Sequence, residues 1–123
     1  KENRPLDKVQ ALFASMDERT QAWHELEQVE GLDLVGSLHY NIEINAAGVN
    51  KGTGLISLGR LLGIRREEIM ACGDGDNDVA MLREAGFGVA PANADAAVKE
   101  VADYIAESNN EEGPAKAIEK FAL

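Results

Sequence analysis

Ile69-Met70-Ala71-Cys72-Gly73-Asp74-Gly75-Asp76-Asn77-Asp78 is the stretch that decides the reading of this chain. Its first four residues are a continuous apolar run of strand length, the pattern of a parallel strand buried on both faces. The remainder is a turn with two glycines and three carboxylates. In open α/β sheets, ligands bind outside the carboxyl ends of the strands, and this run lies at such an end. Carboxylates crowded this closely repel one another, and a hard cation relieves the repulsion. Mg²⁺ takes oxygen ligands and keeps several waters, so one or two carboxylates suffice. The plainer alternative is an acidic turn that only caps a helix, because Asp and Asn favour caps and turns. A bare Asp-Gly-Asp would favour that alternative, whereas the full run at a strand end favours the metal site.

Other motifs fail on spacing. An EF-hand loop starting at Asp74 needs Gly at its sixth position and Glu at its twelfth, where this chain has Val79 and Ala85. A dinucleotide-binding G-x-G-x-x-G from Gly73 needs a glycine at Asp78, and the acidity would repel a pyrophosphate. No Walker A pattern occurs.

Downstream, residues 77–85 read as a helix and Phe87–Ala90 as the next buried strand. A helix over 95–101, a short strand at Tyr104-Ile105 and a helix over 114–121 follow, the last with Pro near its first position. This alternation with short loops predicts a doubly wound parallel α/β sheet. Upstream, residues 53–62 read as a helix with Leu55, Leu58, Leu61 and Leu62 on one face, closed by Gly63. Just before it, Asn50-Lys51-Gly52 puts a lysine beside a helix N-terminus, a local positive site for phosphate. Alone, Lys51 reads as a solvated turn residue. Paired with the acidic loop, it becomes a candidate phosphate ligand. Earlier still, a strand over 9–14, a helix over 18–29 with Ala22, Trp23, Leu26 and Val29, and strands over 32–35 and 40–44 predict a small α+β piece.

The composition of the 123 residues agrees with a globular chain, 45% apolar and 28% charged. Against 12 Lys+Arg stand 22 Asp+Glu, a net charge of −10, which argues against coating nucleic acid or an anionic membrane. No apolar run approaches the roughly 20 residues of a membrane span. A single cysteine, Cys72, excludes an intramolecular disulfide and fits a reduced, cytoplasmic protein.

Lys51-Gly52, the helix ending Leu61-Leu62-Gly63-Ile64, and Glu67-Glu68 leading through the acidic run to Asp78-Val79-Ala80-Met81-Leu82 resemble the haloacid dehalogenase superfamily. The likeness is to its Cof-type sugar-phosphate phosphatases. It continues through Ala85-Gly86-Phe87-Gly88-Val89-Ala90, Asn93-Ala94, Val98-Lys99, Ala102-Asp103 and Ser108-Asn109-Asn110-Glu111-Glu112-Gly113. The resemblance implies residues 48–123 as the C-terminal half of a Rossmann-like hydrolase core and, more loosely, residues 1–47 as the closing part of an α/β cap domain. It implies Asp74 as a Mg²⁺ ligand and Asp78 as the second acidic residue of the metal site. Asn77 and Lys51 would contact the substrate phosphate, and Lys51 would also offset charge on a nucleophile. Lys51, Asp74 and Asp78 are thus the expected catalytic set. Asp76 falls at a variable position and reads as a solvent-facing carboxylate. Where the family often has Met-Gly before Asn-Ala, this chain has Pro91-Ala92.

The family's chemistry begins with an Asp-x-Asp pair, whose first carboxylate attacks phosphorus. No Asp-x-Asp precedes residue 74. The expectation is therefore a fragment of a Mg²⁺-dependent phosphatase of small phosphorylated metabolites, inactive alone and prone to self-associate through exposed edges. The alternative is a non-catalytic metal- and phosphate-binding or interaction module on the same fold. Trp23 reads as core and Cys72 as a buried strand residue. His24 and His39 have no ligand-spaced partners, and Arg65-Arg66-Glu67-Glu68 reads as a charged connection.

Overall fold

The computed structural model describes residues 6–123, which fall into two compact units divided between Val49 and Asn50. Residues 1–5, part of the expected 1–47 region, lie outside the described residues.

The first unit runs β1 (Val9–Leu12), α1 (Met16–Leu26), β2 (Leu32–Val35), β3 (Asn41–Ala46). Its strands form an antiparallel sheet in the order β1-β3-β2, with Ile44 opposite both Val9 and Leu34. Helix α1 starts where Ser15 accepts a hydrogen bond from Glu18 N–H, and Asp17 and Glu18 suit the positive end of its dipole. The helix is shorter than the expected 18–29 span, and Val29 lies exposed beyond its end. Arg19 ties α1 to β3, its Nε donating to the Asn41 carbonyl at 2.8 Å.

In β3, Ile42 is fully buried and Ile44 is half-buried. On the other face of the strand, Asn41, Glu43 and Asn45 are buried too. Asn41 Oδ1 accepts from Ser37 N–H (3.1 Å) and Leu38 N–H (2.9 Å), and its Nδ2 donates to Ser37 Oγ (2.8 Å). Ser37 Oγ donates to Glu43 Oε1 and Lys8 Nζ to Glu43 Oε2, both at 2.6 Å. Buried polar groups persist where partners satisfy them, and these are satisfied.

The second unit runs α2 (Lys51–Leu62), β4 (Met70–Cys72), α3 (Val79–Glu84), β5 (Phe87–Pro91), α4 (Ala96–Val101), β6 (Tyr104–Ala106), α5 (Gly113–Phe121). The three strands are parallel, in the order β4-β5-β6. Alternate residues of β5 enter separate cores. Ala90 packs with Leu82, Ala94 and Val98, and Val89 with Ala106 and Ala117. Helices thus cover both faces, and the fold is the doubly wound α/β class that the alternating pattern predicts. A short 3₁₀ turn over Arg66–Glu68 leads into β4, and another over Asp76–Asp78 leads into α3.

Helix α2 begins two residues before the expected 53–62 span. Its buried residues are Gly52 and Gly59, while Leu58, Leu61 and Leu62 are exposed. A Cβ on Gly52 would strike the Ala80 carbonyl, and one on Gly59 would lie 2.9 Å from Ile69 Cδ1. The glycine side faces the described neighbours because only a bare backbone fits there. Gly63 ends the helix in the left-handed conformation, as expected.

Candidate active site

Asp78 is the hub of the Gly73–Asp78 loop, which leaves the carboxyl end of β4. Its side chain is 7% exposed. Oδ2 accepts the N–H groups of Asp74 (3.0 Å) and Gly75 (3.2 Å), and so closes the turn. Oδ1 accepts from Lys51 Nζ at 2.5 Å. Gly73 is required beside it, since a Cβ there would overlap the Asp78 side chain. Lys51 stands in the first turn of α2, which Asn50 caps by accepting from Thr53 N–H at 3.0 Å. Charge-assisted bonds of this kind are the strong ones, and burial of the acceptor strengthens them. The Lys51 side chain is 48% exposed, so the ammonium keeps donors available to a second anion.

The structure brings Lys51, Asp74, Asn77 and Asp78 to one loop and separates their environments. Asp74 and Asp76 are exposed, Asn77 is half-buried and Asp78 is buried. The three carboxylates do not converge. Among the described residues, no group of three His, Cys, Asp or Glu side chains is placed to hold a metal ion. Asp78, expected as a metal ligand, gives both oxygens to protein donors. The Asp74 carboxylate carries no hydrogen bond or ion pair among the described residues. An exposed, uncommitted carboxylate on an anchored turn fits a hydrated hard cation, which needs one or two such ligands. Cys72, just before the loop, has its thiol pKa pushed up by burial.

Two features escaped the sequence reading. Asp95 N–H donates to the Asp74 carbonyl at 2.9 Å, and Asn93 Oδ1 accepts from Asn109 N–H at 2.9 Å. These bonds join the loops after β4, β5 and β6. Spacing gives no sign of them, because the partners lie 21 and 16 residues apart. His24 bonds Glu27 at 3.0 Å on the surface of α1. Arg65 and Glu68 pair across the turn before β4. Neither pair lies at the loop. A concavity lined by Ile69, Met70, Phe87 and Phe121 sits at the amino ends of β4 and β5, away from Asp74.

Fold and site together define a doubly wound α/β protein with a lysine-paired acidic loop at the carboxyl edge of its sheet. The model of the haloacid dehalogenase-like hydrolases matches residues 1–118, and the chain belongs to that family. It is 46% identical over 107 residues to the 5-amino-6-(5-phospho-D-ribitylamino)uracil phosphatase YcsE of Bacillus subtilis, covering 87% of this chain and 43% of the relative. A solved haloacid dehalogenase-like hydrolase from B. subtilis superposes with a TM-score of 0.88 at 33% identity, covering all of this chain and 44% of the other. A solved sugar phosphatase of haloacid dehalogenase subclass IIB superposes with a TM-score of 0.85 at 30% identity, covering 98% of this chain and 45% of the other. The chain therefore spans less than half the length of these relatives.

Proposed function

We propose that these residues form the metal- and phosphate-binding part of the active site of a phosphatase acting on small phosphorylated metabolites such as sugar phosphates. The observation that carries the reading is the Lys51–Asp78 pair, whose carboxylate also holds the backbone N–H of the exposed Asp74. Asp74 would hold Mg²⁺, which, when bound, supplies positive charge to the phosphoryl group during in-line transfer. Lys51, fixed by Asp78, would present its ammonium to the same phosphoryl oxygens and offset the charge of an attacking carboxylate. Asn77 would donate its amide to the phosphate. The nucleophilic Asp-x-Asp of an aspartyl-phosphate mechanism would come from outside these residues, so the chain alone would be inactive.

The named phosphatases among the relatives support this reading. Residues 48–123 would be part of the hydrolase core and residues 1–47 part of a cap that selects the leaving group. Among the described residues, no helix is long and apolar enough to cross a membrane. The single thiol suits a reducing compartment such as the cytoplasm. In the protein that contains the whole chain, Asp74→Asn should abolish Mg²⁺-dependent phosphate release from sugar phosphates. Full activity in that variant would overturn the assignment. Separately, the 123-residue chain should leave an aryl phosphate intact, and clear turnover would refute the need for an external nucleophile.

A further inference from the structure

Asp74 has an exposed carboxylate on a short turn, so its direction depends on how firmly its own backbone is held. One anchor is local, the Asp74 N–H on Asp78 Oδ2 at 3.0 Å. The other comes from a different loop, the Asp95 N–H on the Asp74 carbonyl at 2.9 Å. The Asp95 peptide is in turn placed by the Pro91–Ala94 turn at the end of β5, which it follows directly. Ala94 N–H closes that turn on the Pro91 carbonyl at 2.9 Å, and the Ala94 methyl is buried with Leu82, Ala90 and Val98. A side chain tethers the outer side of the turn, Asn93 Oδ1 accepting Asn109 N–H at 2.9 Å.

The far end of that tether is itself closely fixed. Ser108 Oγ accepts from Asn110 N–H at 3.1 Å, and the Ser108 carbonyl accepts from Gly113 N–H at 3.0 Å. Glu112 adopts a left-handed conformation (φ 60°), uncommon for a residue with a side chain. Gly113 lies so close to the Glu107 carbonyl that a Cβ would overlap it. A tightly packed turn after β6 thus holds Asn93 and, through it, the Pro91–Ala94 turn, and Asp95, next in the chain, holds Asp74.

We infer that Asn93 is a positioning residue for Asp74, acting through Asp95 and fixing the direction in which the Asp74 carboxylate meets a divalent cation. The functional half of this inference rests on the phosphatase reading; the geometric half does not. Asn93 is exposed, so its replacement should leave the core intact.

The test uses the protein that contains the whole chain, with Asn93→Ala, Asn93→Asp and Asp74→Asn variants. Hydrogen exchange is followed at the Asp95 and Asn109 amides, and MnCl₂ alone is titrated by electron paramagnetic resonance. Asn93→Ala should speed exchange at Asp95 as well as at Asn109 by about 2- to 10-fold, the scale of one lost hydrogen bond. It should weaken Mn²⁺ binding by up to about tenfold, the low end for residues that orient a ligand from behind. Asn93→Asp, which keeps the acceptor oxygen, should restore protection at both amides. Faster exchange at Asn109 with Asp95 unchanged would overturn the inference, because Asn93 would then serve only its own turn. So would equal behaviour of Asn93→Ala and Asn93→Asp. Unaltered Mn²⁺ binding in Asp74→Asn would instead defeat the metal assignment, and the exchange data would still judge Asn93.

Discussion

Asp78 shows how much one carboxylate can organise. It accepts two backbone amides and a lysine ammonium. Asp78→Ala should destabilise the protein by about 1–3 kcal/mol, the cost of leaving such donors unpaired. Asp78→Asn should recover part of it by keeping one carbonyl oxygen. Urea unfolding midpoints at constant slope measure both. The sequence marked Asp78 as important through its place in the acidic run, yet alternation and spacing could not say that it faces inward to Lys51. Cys72 makes a second case at this scale. Burial raises its thiol pKa, so the nucleophilic thiolate is scarce at neutral pH. Iodoacetamide at pH 8 should alkylate Cys72 more slowly than a free cysteine peptide, with the difference vanishing in denaturant. Mass spectrometry reads both rates.

Among the elements, α2 carries the sharpest lesson. Leucine periodicity predicted a helix, and the helix is there; among the described residues its buried positions are Gly52 and Gly59, while Leu58, Leu61 and Leu62 are exposed. Contact with α3 runs over Gly52, whose missing side chain leaves room for the Ala80 carbonyl. Two substitutions in this helix should therefore have opposite signs. Gly54, with open space around it, should tolerate Ala and gain about 0.5–1 kcal/mol from reduced chain entropy. Gly52→Ala should lose about 1–3 kcal/mol by overpacking despite the same intrinsic gain. Thermal or urea unfolding of the two variants decides the point. Equal stabilisation by both would show that α2 does not approach α3 this closely. Strands β4 and β5 were legible because their apolar runs enter cores on both faces. Strand β3 was half legible, since Asn41 and Glu43 are buried with partnerships to Lys8 and Ser37 that no period-2 rule foresees.

Across the whole molecule, the parallel sheet ends at β4, which pairs only with β5 among the described residues. Leu58, Leu61 and Leu62 lie exposed on α2 in the same unit. Unpaired strand edges and apolar patches promote association. The 123-residue chain should elute as more than a monomer by size exclusion with light scattering, although its charge of −10 opposes close approach of copies. A clean monomer at low and high salt would rule the association out.

The amino-acid sequence by itself determined the alternation of strands and helices, the parallel sheet, and the position of the acidic loop at a strand's carboxyl end. Those features follow from local patterns, the length of apolar runs and the chemistry of glycine and aspartate in turns. Only the tertiary structure decided which carboxylate turns inward, which side of α2 packs, and which loops brace Asp74. Each of those depends on groups distant in the chain meeting at hydrogen-bond or van der Waals range, where a single Cβ or a lone donor settles the outcome.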